Sequence, residues 1–215
     1  MAKISINVRG SHSIKLPPER ATVSATLSRE GSSAAPVFEA VLRSLAQVRA
    51  SLEAIHDVTR GPVRKFAFDQ VVTSARRPWH EKGKQLPFIH AARVTVTAEF
   101  VEFAELGRWI TAMSQVEGLT IHGIGWDLTE SNRSETERKA RQEAVRQAKA
   151  RAQDYADALE LGPVAPRRIS DPGVLAQPMH APMMRLAAAS DALPELDLEP
   201  QDIDIHAEVE AQFVT

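Results

Sequence analysis

An α+β fold, with an antiparallel or mixed sheet packed against two long helices and one shorter helix, is predicted by three features of this 215-residue sequence. Several segments alternate apolar and polar residues with period two, as strands with one buried face do. Three others repeat apolar residues every three or four positions, the spacing of amphipathic helices. A strong alternating segment also follows the last helix, so it must return to pair within a sheet.

The elements follow in order. Ile4, Ile6 and Val8 alternate with Ser5 and Asn7 as a half-buried strand, which Gly10 is expected to break. A short stretch around Ile14 and Leu16 ends at Pro17-Pro18. Ala21, Val23, Ala25 and Leu27 then form a cleaner strand. Ser33 is the expected N-cap of a long helix with Pro36 in its first turn, where amide donors lack partners anyway. Its predicted inward stripe is Phe38, Val41, Leu42, Leu45, Val48, Leu52 and Ile55, ending near His56.

Two long strands come next, Val63 to Ser74 and Ile89 to Val101, joined by a polar loop with Pro and Gly. A shorter helix over about Phe103 to Gln115 turns Leu106, Trp109, Ile110 and Met113 inward, and Gly118 closes it. Leu119 to Leu128 reads as a strand in which Gly123 and Gly125 mark a bulge or close packing. Ser134 and Glu137 fit a capping box for the third helix, which runs to Leu161 and stops on Gly162-Pro163. Its inward ridge is Ala140, Ala144, Ala148, Ala152 and Ala156, small enough to let the helix lie close on its neighbour. Val164 to Ser170 reads as a short strand, and Ile203 to Phe213 as the strong terminal one.

Without the short stretches around Ile14 and over Val164 to Ser170, this gives the order β-β-α-β-β-α-β-α-β. Residues 171–200, rich in Pro and Met, read as an irregular excursion before the terminal strand. The whole chain, 1–215, is therefore expected to be a single domain.

Composition excludes several chemistries. With no cysteine there is no disulfide, thiolate nucleophile or Cys-ligated metal. A net charge of −2 gives no whole-protein field for nucleic acid or anionic lipid. No run approaches a membrane span, so no membrane insertion is expected. The first ten residues lack the apolar core of a signal peptide, and the expected location is cytoplasmic.

The seven histidines, His12, His56, His80, His90, His122, His180 and His206, form no metal-ligand motif, so neither metal nor cofactor is expected. There is no Gly-x-Ser-x-Gly elbow, and His122-Gly-Ile-Gly-Trp-Asp127 lacks the Gly-Lys-Ser/Thr of a phosphate loop. Arg138, Lys139, Arg141, Arg146, Lys149 and Arg151 are interrupted by acids, which reads as a solvated helix face ahead of a nucleic-acid stripe. The expected interaction residues are Arg76, Arg77, Trp79 and His80 in the long loop, with Met183 and Met184. Exposed Trp and Arg are favoured interface anchors, and flexible Met gives an adaptable contact.

Four stretches also carry a family resemblance. They are Ile4 to Ser24 with its Gly10 and Pro17-Pro18, the strand Arg93-Val-Thr-Val-Thr97, the Ala/Arg-rich run Arg141 to Ala156 followed by Leu161-Gly162, and the alternating ending Ile203 to Phe213. In order and spacing they resemble the SIMPL-domain family, whose bacterial members include periplasmic immunogenic and stress-associated proteins. The resemblance covers essentially the whole chain. It implies an α+β fold, self-association, and a role in stress responses or partner binding; it carries no catalytic residue. The favoured expectation is a non-enzymatic protein that forms homo-oligomers and binds a protein partner. The alternative is a small-molecule site or enzyme pocket between sheet and helix, near His90, His122 and Trp126.

Overall fold

The computed structural model describes residues 4–81, 84–171, 198 and 200–215. The elements are β1 (Ser5–Leu16), β2 (Arg20–Gly31), α1 (Ala34–Glu53), β3 (Val63–Phe68), β4 (Val72–Arg76) and β5 (Ile89–Phe100). There follow α2 (Phe103–Met113), β6 (Leu119–Asp127), α3 (Glu130–Ala158), β7 (Ala165–Ser170) and β8 (Ile203–Val214). The fold is α+β, and its strands pair antiparallel in sheets of three and five. Two compact units result. A terminal unit holds the described residues of Met1–Pro18, Leu128–Ala181 and Gln201–Thr215; a central unit holds Glu19–Asp127 and the described residues of Pro182–Pro200.

In the terminal unit the strand order is β1-β8-β7, so β8 sits in the middle and pairs on both sides. The register runs unbroken from Ser5 opposite Val214 to Leu16 opposite Ile203. Gly10 therefore does not break the strand. A Cβ built there would lie 2.1 Å from the Ala144 carbonyl oxygen and 2.7 Å from the Ala148 amide nitrogen of α3. Glycine is needed because the helix backbone touches the strand directly. The alanine ridge supplies the other half of that contact: Ala140, Ala144, Ala148, Ala152 and Ala156 are all fully buried.

Both ends of α3 differ from expectation. The helix begins at Glu130, a turn before the capping box at Ser134, with Arg133 N–H already bonded to the Thr129 carbonyl at 2.8 Å. Fully buried Leu128 fixes where the chain leaves β6, and that anchor overrides the local Ser/Glu signal. At the other end the helix stops at Ala158 rather than Leu161, and the first left-handed residue is Glu160, with φ 55°, two residues ahead of Gly162, which is left-handed as expected with φ 80°. Leu161 N–H reaches back to the Ala156 carbonyl at 2.9 Å and Glu160 N–H to that of Asp157 at 3.1 Å. This is the Schellman pair of bonds, made without its usual glycine.

In the central unit the sheet order is β3-β5-β2-β6, with β4 also paired to β5. One face is apolar. Val23, Ala25 and Leu27 of β2 and Val94, Val96 and Phe100 of β5 are buried with Val41, Val48 and Leu52 of α1 and Leu106, Trp109 and Met113 of α2. Leu198 packs on this core. The inward row of α1 is Val37, Val41, Ser44, Val48 and Leu52, while Phe38 and Leu42 stay about two-fifths exposed. Val41, Val48 and Leu52 of the expected stripe are buried; Phe38 and Leu42 lie at its edge, and Val37 and Ser44 take the inward places beside them.

The expected strand Val63 to Ser74 is two strands. Phe68 pairs with Val96 and Val72 with Arg93, so β3 and β4 spend one residue more than β5 across the gap. Asp69 N–H still bonds the Thr95 carbonyl at 3.0 Å. The extra residue makes a bulge. A second irregularity, opposite Ser24 and Ala25, falls at His122-Gly123, and nothing lies within 4 Å of a Cβ built on Gly123. Of the two expected roles, bulge rather than close packing is observed there. The other face of this sheet is polar, with Arg20 bridging Asp127 at 2.9 Å and Glu99 at 3.6 Å.

Candidate functional site

The loop between β4 and β5 is the expected contact element, and its ends are held by the register of the hairpin. Arg76 closes β4 opposite Ile89, and its Nη2 pairs with Glu30 at 3.2 Å. Arg77 Nη1 donates to Gln85 Oε1 at 2.8 Å across the loop. The same guanidinium sits 4.5 Å from the Phe88 ring centroid, a cation–π contact. Arg77 is thus tied to two residues of the return limb, and exposed Trp79 lies between them in the loop.

The environment of Trp79 stands out among the three tryptophans. Trp109 is 4% exposed, donates from Nε1 to Ser51 Oγ at 3.0 Å and packs on Phe100. Trp126 meets Phe103 edge-on at 4.9 Å. Trp79 is 82% exposed. An indole left in water withholds a large apolar area from burial, which is the profile of an interface anchor. His80, half-buried, follows it in the chain. Met183 and Met184 lie outside the described residues.

Phe88 was not among the expected residues. It is 47% exposed and shares its exposure with the loop. The available signal was its place beside Pro87 at the foot of the hairpin, facing a loop of arginines.

The other candidates separate. His122 and Trp126 lie on opposite faces of the sheet: His122 Nε2 is 2.7 Å from Thr26 Oγ1 on the polar face, whereas Trp126 packs with the core of the helix face. His90 pairs with Gly31, at the far end of β2. These three side chains therefore line no common pocket between sheet and helix. The other described histidines are dispersed, with His206 Nδ1 at 2.9 Å from Ser13 Oγ and His56 Nε2 at 3.2 Å from the Arg64 carbonyl, and His180 lies outside the described residues. Among the described residues no group of three or more acids and histidines lies close enough to share a metal ion. No described helix is long and apolar enough to cross a membrane.

Four of the six cations named on α3 make ion pairs or hydrogen bonds within the fold; among the described residues Arg138 and Lys149 make neither. Lys139 pairs with Glu135 at 2.8 Å, Arg141 with Glu137 at 3.7 Å, and Arg146 with Glu143. Arg151 Nη1 donates to the Arg9 carbonyl at 2.7 Å. The face is a set of helical ion pairs at i,i+3 and i,i+4 spacing.

No curated protein matches the chain. A family model does: SIMPL, described as a protein of unknown function (DUF541), matches residues 6–213. With β5 and the alanine-ridged α3 inside that span, and β1 and β8 inside it but for one end residue each, the chain belongs to the SIMPL family.

Proposed function

We propose that this SIMPL protein is non-enzymatic, self-associates, and uses the 77–88 hairpin to contact a second copy or a protein partner. The observation that supports this most is Trp79, exposed on a loop whose flanks are fixed by Arg77 to Gln85 and Phe88. An anchor on a tied loop gives up little conformational entropy when it is buried, so more of the burial energy remains for binding.

The test is absolute mass in solution for the natural chain and Trp79→Ala. The natural chain is expected at a discrete multiple of 23.6 kDa. The substitution removes a hot spot, which weakens association by about thirtyfold while leaving the fold within about 0.5 kcal/mol. A natural chain that is monomeric at all concentrations, or an assembly of unchanged affinity without Trp79, overturns the reading.

A further inference from the structure

The bulge between β3 and β4 opens a cleft of about 610 Å³ on the polar face of the five-stranded sheet. Asp69 and Gln70 of the bulge, Val72 of β4, Arg93 and Thr95 of β5 and Thr26 of β2 line it. Thr26 and Thr95 are cross-strand partners and form its half-buried floor. Asp69 and Arg93 stand exposed at its rim.

These two charges set the cleft apart. On the same face Arg20, Lys65, Glu99 and Asp127 neutralise one another in ion pairs. Arg93 and Asp69 make no side-chain hydrogen bond or ion pair among the described residues, although both border one cleft. Each is therefore available to a ligand charge of the opposite sign. The guanidinium can take a carboxylate with two parallel hydrogen bonds, and the aspartate can take an ammonium.

The polar lining between the charges narrows the ligand. Asp69 is bonded through its amide to Thr95, two residues along β5 from Arg93. Alternate residues of a strand lie roughly 7 Å apart. A free amino acid carries both charges on one carbon and offers no amide to the polar groups between them. One further residue adds about 3.5 Å of chain. Gln70 and Thr95 supply donors and acceptors for an amide between the charges, Thr26 keeps a lone pair beside its 2.7 Å contact with His122, and exposed Val72 supplies an apolar wall.

We propose that this cleft binds short zwitterionic peptides, dipeptides in the first place, with Arg93 on the C-terminal carboxylate and Asp69 on the N-terminal ammonium. The site is independent of the hairpin loop and of self-association.

The experiment is a titration of the isotope-labelled full chain with glycyl-leucine, followed by backbone amide shifts. Saturable shifts at millimolar peptide are expected at Asp69, Gln70, Arg93 and Thr95. Acetylating the amine, amidating the carboxylate, or substituting Asp69→Asn or Arg93→Gln should each weaken binding about tenfold or more, because each removes a charge-assisted hydrogen bond. Leucine alone should bind more weakly than the dipeptide. Unchanged shifts elsewhere in the variants' spectra confirm their folding. No shift at these amides, equal binding of the doubly capped peptide, or variants that bind as the natural chain does overturns the proposal.

Discussion

In the terminal unit a helix meets its sheet through alanines and one glycine; in the central unit the helices meet theirs through valine, leucine, phenylalanine and tryptophan. The first contact is tight because its side chains are small enough for backbones to touch, as at Gly10 against Ala144. The second is spaced by large side chains that fill the gap between helix and sheet. A backbone-to-backbone contact has no room for added atoms. A contact made by large side chains has atoms to lose. The same physical requirement, dense packing, thus makes the two units fail in opposite directions.

Exchanging the substitutions breaks that comparison most sharply. Leu106→Ala in the central unit leaves a cavity and should cost about 3–4 kcal/mol. Gly10→Ala in the terminal unit adds one methyl group and should cost about 3 kcal/mol by forcing α3 off β1. Hydrogen exchange resolved by residue tells the two apart. The first should lower protection in β2 and β5, the second in β1 and β8. A Gly10→Ala chain with natural protection in β1 would mean that the helix shifts at no cost, and the contrast would fail.

A smaller effect sharpens the picture at the end of α3. Glu160 holds a left-handed backbone that a side chain disfavours. Glu160→Gly should stabilise the chain by about 0.5–1 kcal/mol, read as a higher denaturant midpoint at unchanged slope. An unchanged or lowered midpoint would show that the neighbouring structure already relieves the strain.

The smallest effect lies in the loop after α1. The carboxylate of Asp57 accepts hydrogen bonds from the backbone amides of Arg60 and Thr59 and from the Thr59 hydroxyl, at 2.7 to 2.9 Å. These bonds lower its pKa to about 2, the Arg60 amide contributing most. The folded value lies below the unfolded one, so the stability it contributes is fully present above pH about 4 and lost as pH falls towards 2. Asp57→Asn keeps an acceptor but no titration. Its stability should therefore fall less steeply than that of the natural chain across this window, as measured by denaturation at a series of pH values. Parallel curves would remove Asp57 from the acid sensitivity.

Much of the fold was legible because its cause is local or periodic. Ala140 to Ala156 recur at one helical spacing, and Ile203 to Phe213 alternate without interruption, so both elements announced their inward faces. Features set by a distant partner were not legible. Gly10 looks like a strand breaker until Ala144 is known to lie against it. Ser134 and Gly162 carry good local signals for helix ends, but buried Leu128 and the bonds back to Ala156 and Asp157 place the ends elsewhere. The hairpin loop could be read, since a polar stretch with Pro and Gly between two apolar segments has a recognisable composition. The cleft could not: Thr26, Asp69 and Arg93 come together only through the pairings of β2, β4 and β5 with one bulge between them.

The position of β8 in the middle of its sheet bears on how the chain is made. Arg9 of β1 pairs with Glu210, 201 residues later. All of Glu19–Asp127 is synthesised in between, so the central unit's strands can find one another while the ribosome is still at work. β1, which emerges before the central unit, has its sheet neighbour among the described residues in β8 and cannot complete that ladder until β8 has been translated. Its apolar residues Ile6 and Val8 therefore spend translation without their final partners, a period in which the nascent chain has to be kept from aggregating.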